Sequence, residues 1–310
     1  MILRKQHKQG MSMSTTKHSE INRATSKFIE IDGSKMHYTE AGQGDPILFL
    51  HGVPTSSYLW RNIVTYLVPL GRCIAPDLIG FGLSDKPDIH YSITDHIYYI
   101  ESFIKLMKLK KIILVMHGWG SVIGLHYATH NESNCRGLVL YEAFLRALDN
   151  QDMSLPLGEQ LSEFAEQESE IDLMGSGISF VDKIMPQIIM QPLATETMNY
   201  YRQPFIQTGT AKPIVQYFRE LSDQDNTSKI NKLISSYSKK LTHSQVPKLL
   251  LYSLPGFITT VATVMWAKEH LPHIEVVELG EELHLAQETS PQLMGEAISV
   301  WMQGIEKGMQ

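Results

Sequence analysis

Ile112-Ile113-Leu114-Val115-Met116-His117-Gly118-Trp119-Gly120-Ser121 decides how the rest of the chain reads. An unbroken apolar run, too short to span a membrane, meets a tight glycine-rich turn. Beyond the turn, Val122, Ile123, Leu125, His126 and Ala128 are spaced for a helix. Buried strand, sharp turn and helix in that order make a nucleophile elbow, whose apex residue presents its side chain to a reaction site. The apex is position 118. A reactive Ser, Asp or Cys is expected there, and the chain has glycine.

Upstream, Phe28-Ile29-Glu30-Ile31 and Met36-His37-Tyr38 flank Asp32-Gly33, the signal of a hairpin. Pro46 to Leu50 is a continuous apolar run, as expected of a strand covered on both faces, and ends at His51-Gly52-Val53-Pro54. A helix is expected from Thr55, with Trp60, Ile63, Val64 and Leu67 on one side. Strand-like Arg72 to Pro76 then leads into a glycine-rich loop, Asp77 to Pro87. A helix from Ile93 precedes the elbow, and a strand at Gly137 to Tyr141 follows it. Strands that alternate with helices predict an α/β fold, with a mostly parallel central sheet and helices on both faces. Function in such sheets collects at the carboxyl ends of the strands.

Between residues 148 and 243 the alternation stops, and acidic residues (Glu163, Glu166, Glu168, Glu170), scattered Met and Pro-containing breaks take its place. This stretch reads as a helical cap inserted over the strand ends. The α/β core is then 27–147 and 244–306, with 1–26 as a polar, disordered lead. Strands resume at Lys248 to Tyr252 and Ile274 to Glu278, and the last helix carries Leu293, Ala297, Val300 and Trp301.

Composition narrows the function classes. A net charge of -6 argues against nucleic acid as the main partner, because phosphate binding needs clustered Lys and Arg. Cys73 and Cys135 make neither a disulfide framework nor a metal set, so no metal and no cofactor is expected. No stretch reaches the roughly 18 to 20 apolar residues of a membrane helix, and the lead lacks the apolar region of a secretory signal. The expectation is a cytoplasmic protein whose partner is a small apolar organic substrate or ligand. Nothing in the sequence fixes its oligomeric state.

Several long motifs carry a family resemblance. They are His51-Gly52-Val53-Pro54-Thr55-Ser56-Ser57-Tyr58-Leu59-Trp60-Arg61-Asn62, Cys73 to Gly80, the elbow, Tyr200-Tyr201-Arg202-Gln203-Pro204-Phe205, and His284-Leu285-Ala286-Gln287-Glu288. In this order, from about Phe28 to Trp301, the chain resembles the haloalkane dehalogenases of the α/β-hydrolase fold and their coelenterazine-luciferase relatives. The reaction of that family uses an Asp nucleophile on the elbow, a His that activates water, and a carboxylate that orients the His. The resemblance assigns these positions to Gly118, His284 and Glu142. The alternative acid position, Ser253-Leu254-Pro255-Gly256, offers no carboxylate. Of the two halide donors the family uses, Trp119 matches one, and Val53 stands where the other, an Asn, is expected. Pocket-lining positions fall on Phe144, Phe205, Phe257 and Ile258, where apolar side chains suit an apolar substrate.

The nucleophile and one halide donor are thus replaced, and the general parts stay. The backbone N–H groups of Val53 and Trp119 are candidates for an oxyanion hole, which needs no side chain. His284 with Glu142 is a candidate general base. Glycine at the apex is expected to let the strained turn relax. Ser121 is expected to point along its helix, away from the site. His51, His117, Asp77 and Asp85 read as structural. Three functional readings stay open: a repurposed enzyme that works through His284 and Glu142 on a carbonyl substrate, a binding protein using the old pocket, and a residual dehalogenase or other hydrolase.

Overall fold

The computed structural model describes residues 24–147, 155–167, 175–222 and 228–308. Most of the expected disordered lead lies outside the described residues, as do Glu168 and Glu170 of the acidic stretch. The strands are β1 (Thr25–Ile31), β2 (Ser34–Ala41), β3 (Pro46–Leu50), β4 (Arg72–Pro76), β5 (Ile112–Gly118), β6 (Cys135–Ala143), β7 (Lys248–Pro255) and β8 (Ile274–Glu282). They form one 8-stranded sheet in the order β1-β2-β4-β3-β5-β6-β7-β8. β2 runs antiparallel to both its neighbours, and all other pairs are parallel. The β1–β2 turn uses Asp32 at φ 53° and Gly33 at φ 75°, the left-handed pair that a two-residue hairpin requires. β3 and β5 are buried along their whole length, as unbroken apolar runs in the middle of a covered parallel sheet should be.

The helices of the α/β part are α1 (Arg61–Leu67), α2 (Ile93–Leu106) and α3 (Trp119–His130). Among the described residues between β6 and β7 lie α4 (Leu155–Gln167), α5 (Ile178–Ile184), α6 (Thr195–Arg202), α7 (Lys212–Ser222) and α8 (Lys229–Leu241). The last three are α9 (Val261–His270), α10 (Ala286–Thr289) and α11 (Pro291–Gly308). α2 starts at a full capping box: Ser92 accepts from the Asp95 N–H, and the Asp95 side chain accepts from the Ser92 N–H. α2 and α8 both pack on α3, while α1 packs on α11.

One local expectation needs correction. The segment from Thr55 opens as a turn. Thr55 N–H and Oγ1 both donate back to the Gly52 carbonyl, a 3-10 turn covers Ser57–Trp60, and the α-helix starts only at Arg61. In α11 the inward face is Met294, Ile298, Trp301 and Met302, and Leu293 and Val300 point to solvent. An apolar residue in a helix need not belong to its buried stripe.

Among the described residues from 155 to 241 no strand occurs; the only bridge is Ser176 to Thr208. This helical stretch meets the carboxyl ends of the strands around Trp119, Phe144 and His284. Tyr217 sets its ring edge-on to Trp119 at 5.1 Å, the Tyr237 hydroxyl donates to the Phe144 carbonyl, and the Ile188 carbonyl accepts the His284 N–H at 3.0 Å.

The elbow helix is pressed against β3. A Cβ added at Gly120 would lie 2.4 Å from the Leu50 carbonyl oxygen, a backbone atom that cannot swing away. Gly120→Ala is therefore expected to destabilise the fold by about 1–3 kcal/mol, the usual cost of overpacking a tight interior. A lower urea midpoint with an unchanged slope checks this; a midpoint equal to that of the parent chain contradicts it.

Candidate active site

Gly118 ends β5 with φ 51° and ψ −126°, and α3 begins at the next residue. The turn keeps the positive-φ conformation of an elbow apex instead of settling into another, and glycine adopts it without strain. The neighbourhood holds it: Ser121 Oγ donates to the Gly118 carbonyl at 2.6 Å, and Phe144 N–H donates to Ser121 Oγ at 3.0 Å. The Ser121 hydroxyl is thereby engaged with the backbone on both its donor and its acceptor side. A Cβ built at Gly118 would sit 3.3 Å from His284 Nε2 and 3.3 Å from Gly52 Cα. The apex still aims at the histidine.

Glu142 reaches the same place from the next strand. The β5–β6 register runs from His117↔Tyr141 to Gly118↔Ala143, so Glu142 is bulged out of the ladder, and its φ is 48°. Its buried carboxylate accepts backbone N–H groups from Phe257 at 3.0 Å, Ile258 at 2.5 Å and Thr259 at 3.3 Å. His284 Nδ1 lies 3.1 Å from Glu142 Oε2, and the pair is almost wholly out of solvent. Burial pushes the Glu142 carboxyl up to about 7 against the pull of those N–H groups. Burial also depresses the His284 imidazole to about 3. A neutral imidazole with Nδ1 turned to the carboxylate leaves Nε2 as the acceptor. Nε2 faces the place a side chain at position 118 would take.

The imidazole is fixed from its backbone as well. His284 N–H donates to Ile188, and His117 Nε2 lies 2.8 Å from the His284 carbonyl with the two rings 4.2 Å apart. Phe257 packs on the other side, its ring 5.3 Å from His284. Among the described residues the Val53 N–H has no acceptor. The Trp119 N–H falls in the first turn of α3, where no intrahelical acceptor exists. Among the described residues the buried Trp119 Nε1 has no partner, and Phe144 and Tyr217 lie edge-on to its ring. Phe205 packs on Phe81, which in turn meets His51. Ile258 is buried above the carboxylate that its own N–H holds.

The residues read as structural have clear partners. His51 Nδ1 lies 2.8 Å from the Gly52 carbonyl, and its Nε2 accepts from the Leu78 N–H at 2.9 Å. Asp85 accepts the Lys35 N–H at 2.7 Å, and Asp77 those of Ser57 and Leu83. Sequence reading missed Tyr217, Ile188 and the donors at 257–259. The segment after Ser253-Leu254-Pro255-Gly256 offers no carboxylate of its own; it supplies the N–H groups that hold one. Backbone donors leave no mark in side-chain patterns. No group of three or more His, Cys, Asp or Glu residues that could hold a metal occurs among the described residues. None of their helices is long and apolar enough to cross a membrane.

Residues 45–291 match the family model of the alpha/beta hydrolase fold. A haloalkane dehalogenase of Sphingobium indicum is 34% identical over 282 residues, covering 89% of this chain and 94% of that protein. One of Agrobacterium fabrum is 32% identical over 277 residues, covering 87% and 89%. The solved haloalkane dehalogenase of Bradyrhizobium elkani superposes with a TM-score of 0.85 at 32% identity, covering 92% of this chain and 100% of that one.

Buried histidines set an acid limit on this fold. Burial depresses His51, His96, His117 and His284, with His96 and His284 at about 3. Below about 6.5 the unfolded chain takes up protons that the folded chain refuses, so stability falls as pH drops through that range. Glu142 and Glu220, both raised to about 7 by burial, act oppositely between about 7 and 4.5, since the fold keeps their protons longer. The histidines outnumber them. The urea midpoint is expected to be lower at pH 5 than at pH 7.5; an equal or higher value at pH 5 would show that these rings are charged in the folded chain.

Proposed function

This chain belongs to the haloalkane dehalogenase-like branch of the α/β-hydrolase family, and from that premise we propose that it is a hydrolase or lyase working without a covalent nucleophile on a small apolar carbonyl substrate. The observation that carries this reading is Gly118: an elbow kept in its positive-φ conformation, aimed at His284 Nε2, with no side chain to form an ester. In this reading the haloalkane dehalogenase reaction is lost, because neither Gly118 nor Val53 supplies the side-chain chemistry it needs.

The space left at position 118 lies against His284 Nε2 and the backbone of Gly52, and a substrate carbonyl or a water fits the chemistry there. The carbonyl oxygen takes the N–H groups of Val53 and Trp119. His284 Nε2 removes a proton from water or from the substrate, and charge develops on the oxygen as the bond forms or breaks. Glu142 is the positioning residue, steadying the imidazolium until the proton passes to the leaving group. Preorganised N–H donors are worth about 10²–10³ in rate and a placed base about 10²–10⁴. Together they make a usable catalyst without a covalent step. One observation favours a second reading, ligand binding without turnover: Trp119 Nε1 is a buried donor with no partner, a feature that suits a held anion or acceptor.

The test is halide release from brominated and iodinated alkanes, alongside hydrolysis of short activated esters. The unmodified chain is expected to release no halide, and the Gly118→Asp, Val53→Asn double variant to release it. The variant is also expected to be less stable by about 1–3 kcal/mol, because Asp must adopt a positive φ. Ester turnover at the buried site should fall by about 10² or more in His284→Ala. Halide release by the unmodified chain overturns the reading. Ester turnover indifferent to His284→Ala leaves ligand binding as the better account.

A further inference from the structure

A second histidine–carboxylate pair stands on the other side of the sheet order, at the β1 edge. His37 Nδ1 lies 2.8 Å from Asp77 Oδ2, and Ser26 Oγ lies 2.8 Å from His37 Nε2. Hydroxyl, imidazole and carboxylate are thus in line. The polarity of the relay follows from the partners. Asp77 is fixed by the N–H groups of Ser57 at 2.7 Å and Leu83 at 2.8 Å, and both it and His37 are buried. Burial alone would raise its carboxyl, but the hydrogen bonds from His37 and Ser57 outweigh this and hold it below the usual range. An ionised Asp77 can only accept, so whenever the His37 ring carries a single proton that proton sits on Nδ1, and Nε2 then accepts from the Ser26 hydroxyl. That is the arrangement that activates a serine.

Access distinguishes this cluster from a buried structural bond. Ser26 is exposed on the edge strand. Phe28 lies two residues on, on the same face of β1, pairs with His37 across the ladder and is 54% exposed, with its ring 5.1 Å from the imidazole. An exposed aromatic beside the hydroxyl is a surface on which an aryl or short acyl group can rest.

We propose that Ser26, His37 and Asp77 form a second nucleophilic site, at the sheet edge, that accepts activated acyl esters. Ser26 Oγ attacks the ester carbonyl while His37 Nε2 takes its proton. The carbon–oxygen bond to the leaving phenolate breaks, and His37 returns the proton to it as the phenol departs. Water, deprotonated by His37, then cleaves the acyl–Ser26 ester, releasing the carboxylic acid and restoring the serine. Asp77 positions His37 and touches no substrate. Aryl esters are the class that fits, because a phenolate leaves without much help from donors at the oxyanion.

The experiment treats the full chain with a fluorophosphonate probe and, separately, with p-nitrophenyl acetate, and maps the added mass by peptide mass spectrometry. Ser26 is expected to be modified at least tenfold faster than the exposed Ser235 and Ser236 of the same molecules, which makes the comparison independent of any variant's folding. Ser26→Ala should remove that label. His37→Gln should slow it at least tenfold in protein whose urea midpoint shows it folded, and His284→Ala should leave it unchanged. Modification of Ser26 at the rate of Ser235 and Ser236, or an undiminished rate in folded His37→Gln, overturns the proposal. Because both sites would turn over activated esters, the His284→Ala comparison at the buried site is made in Ser26→Ala protein, so that neither outcome stands in for the other.

Discussion

At Gly118 the chain must leave the central strand and enter helix α3 within one residue, at φ 51° and ψ −126°. Everything near the site is arranged around that turn. Gly120 lets α3 come down on the Leu50 carbonyl, Ser121 ties the turn back to itself and to Phe144, and Glu142 is bulged from β6 beside it. A residue with a side chain would hold this conformation at a cost of about 1–3 kcal/mol, whereas glycine holds it freely. The geometry of an elbow apex is therefore found at a residue that has no side chain. It is kept by the packing of a helix on a strand, which has its own reasons to stay.

The charge pattern changes with the residue at the apex. An acid at position 118 would place a second carboxylate beside His284, and the imidazolium formed during turnover would be shared between two acids. With glycine, Glu142 is the partner whose distance to His284 is short, and both groups lie in an interior that disfavours charge. A proton moving from a substrate to Nε2 then creates an ion pair with Glu142 where dielectric screening is weak, so the attraction between them is strong. Three backbone N–H groups already aimed at the carboxylate make that pair cheaper to form. This favours proton transfer as the chemistry left to the site.

Much of this was legible in the sequence. The apolar runs gave β3 and β4 to the residue, because strands covered on both faces carry one unambiguous signal. His284 and Glu142 came from motif position and do meet in space. The failures share a cause. The start of α1 was misplaced because Thr55 and Ser56 make local bonds that compete with the helix, and such bonds depend on geometry that spacing does not encode. The persistence of the positive-φ turn was missed because the restraints come from Ser121, Phe144 and Leu50, residues whose convergence only the fold reveals. Ser26 was invisible for the same reason, since nothing in a strand-edge serine announces a histidine across the ladder.

The two histidine–carboxylate pairs frame what each setting can do. His284 and Glu142 lie in the interior, beside backbone donors and an apex with no side chain. His37 and Asp77 are also buried, but their free nitrogen meets a hydroxyl that opens to water. In the interior an oxyanion or an imidazolium is stabilised by fixed dipoles that need no reorganisation, which suits a difficult proton transfer. At the surface, water screens the same charges, and the base can do little more than make one hydroxyl a better nucleophile. Identical side-chain chemistry therefore suits the opposite tasks we propose for it: proton transfer without a nucleophile inside, and nucleophilic attack on an already activated ester outside.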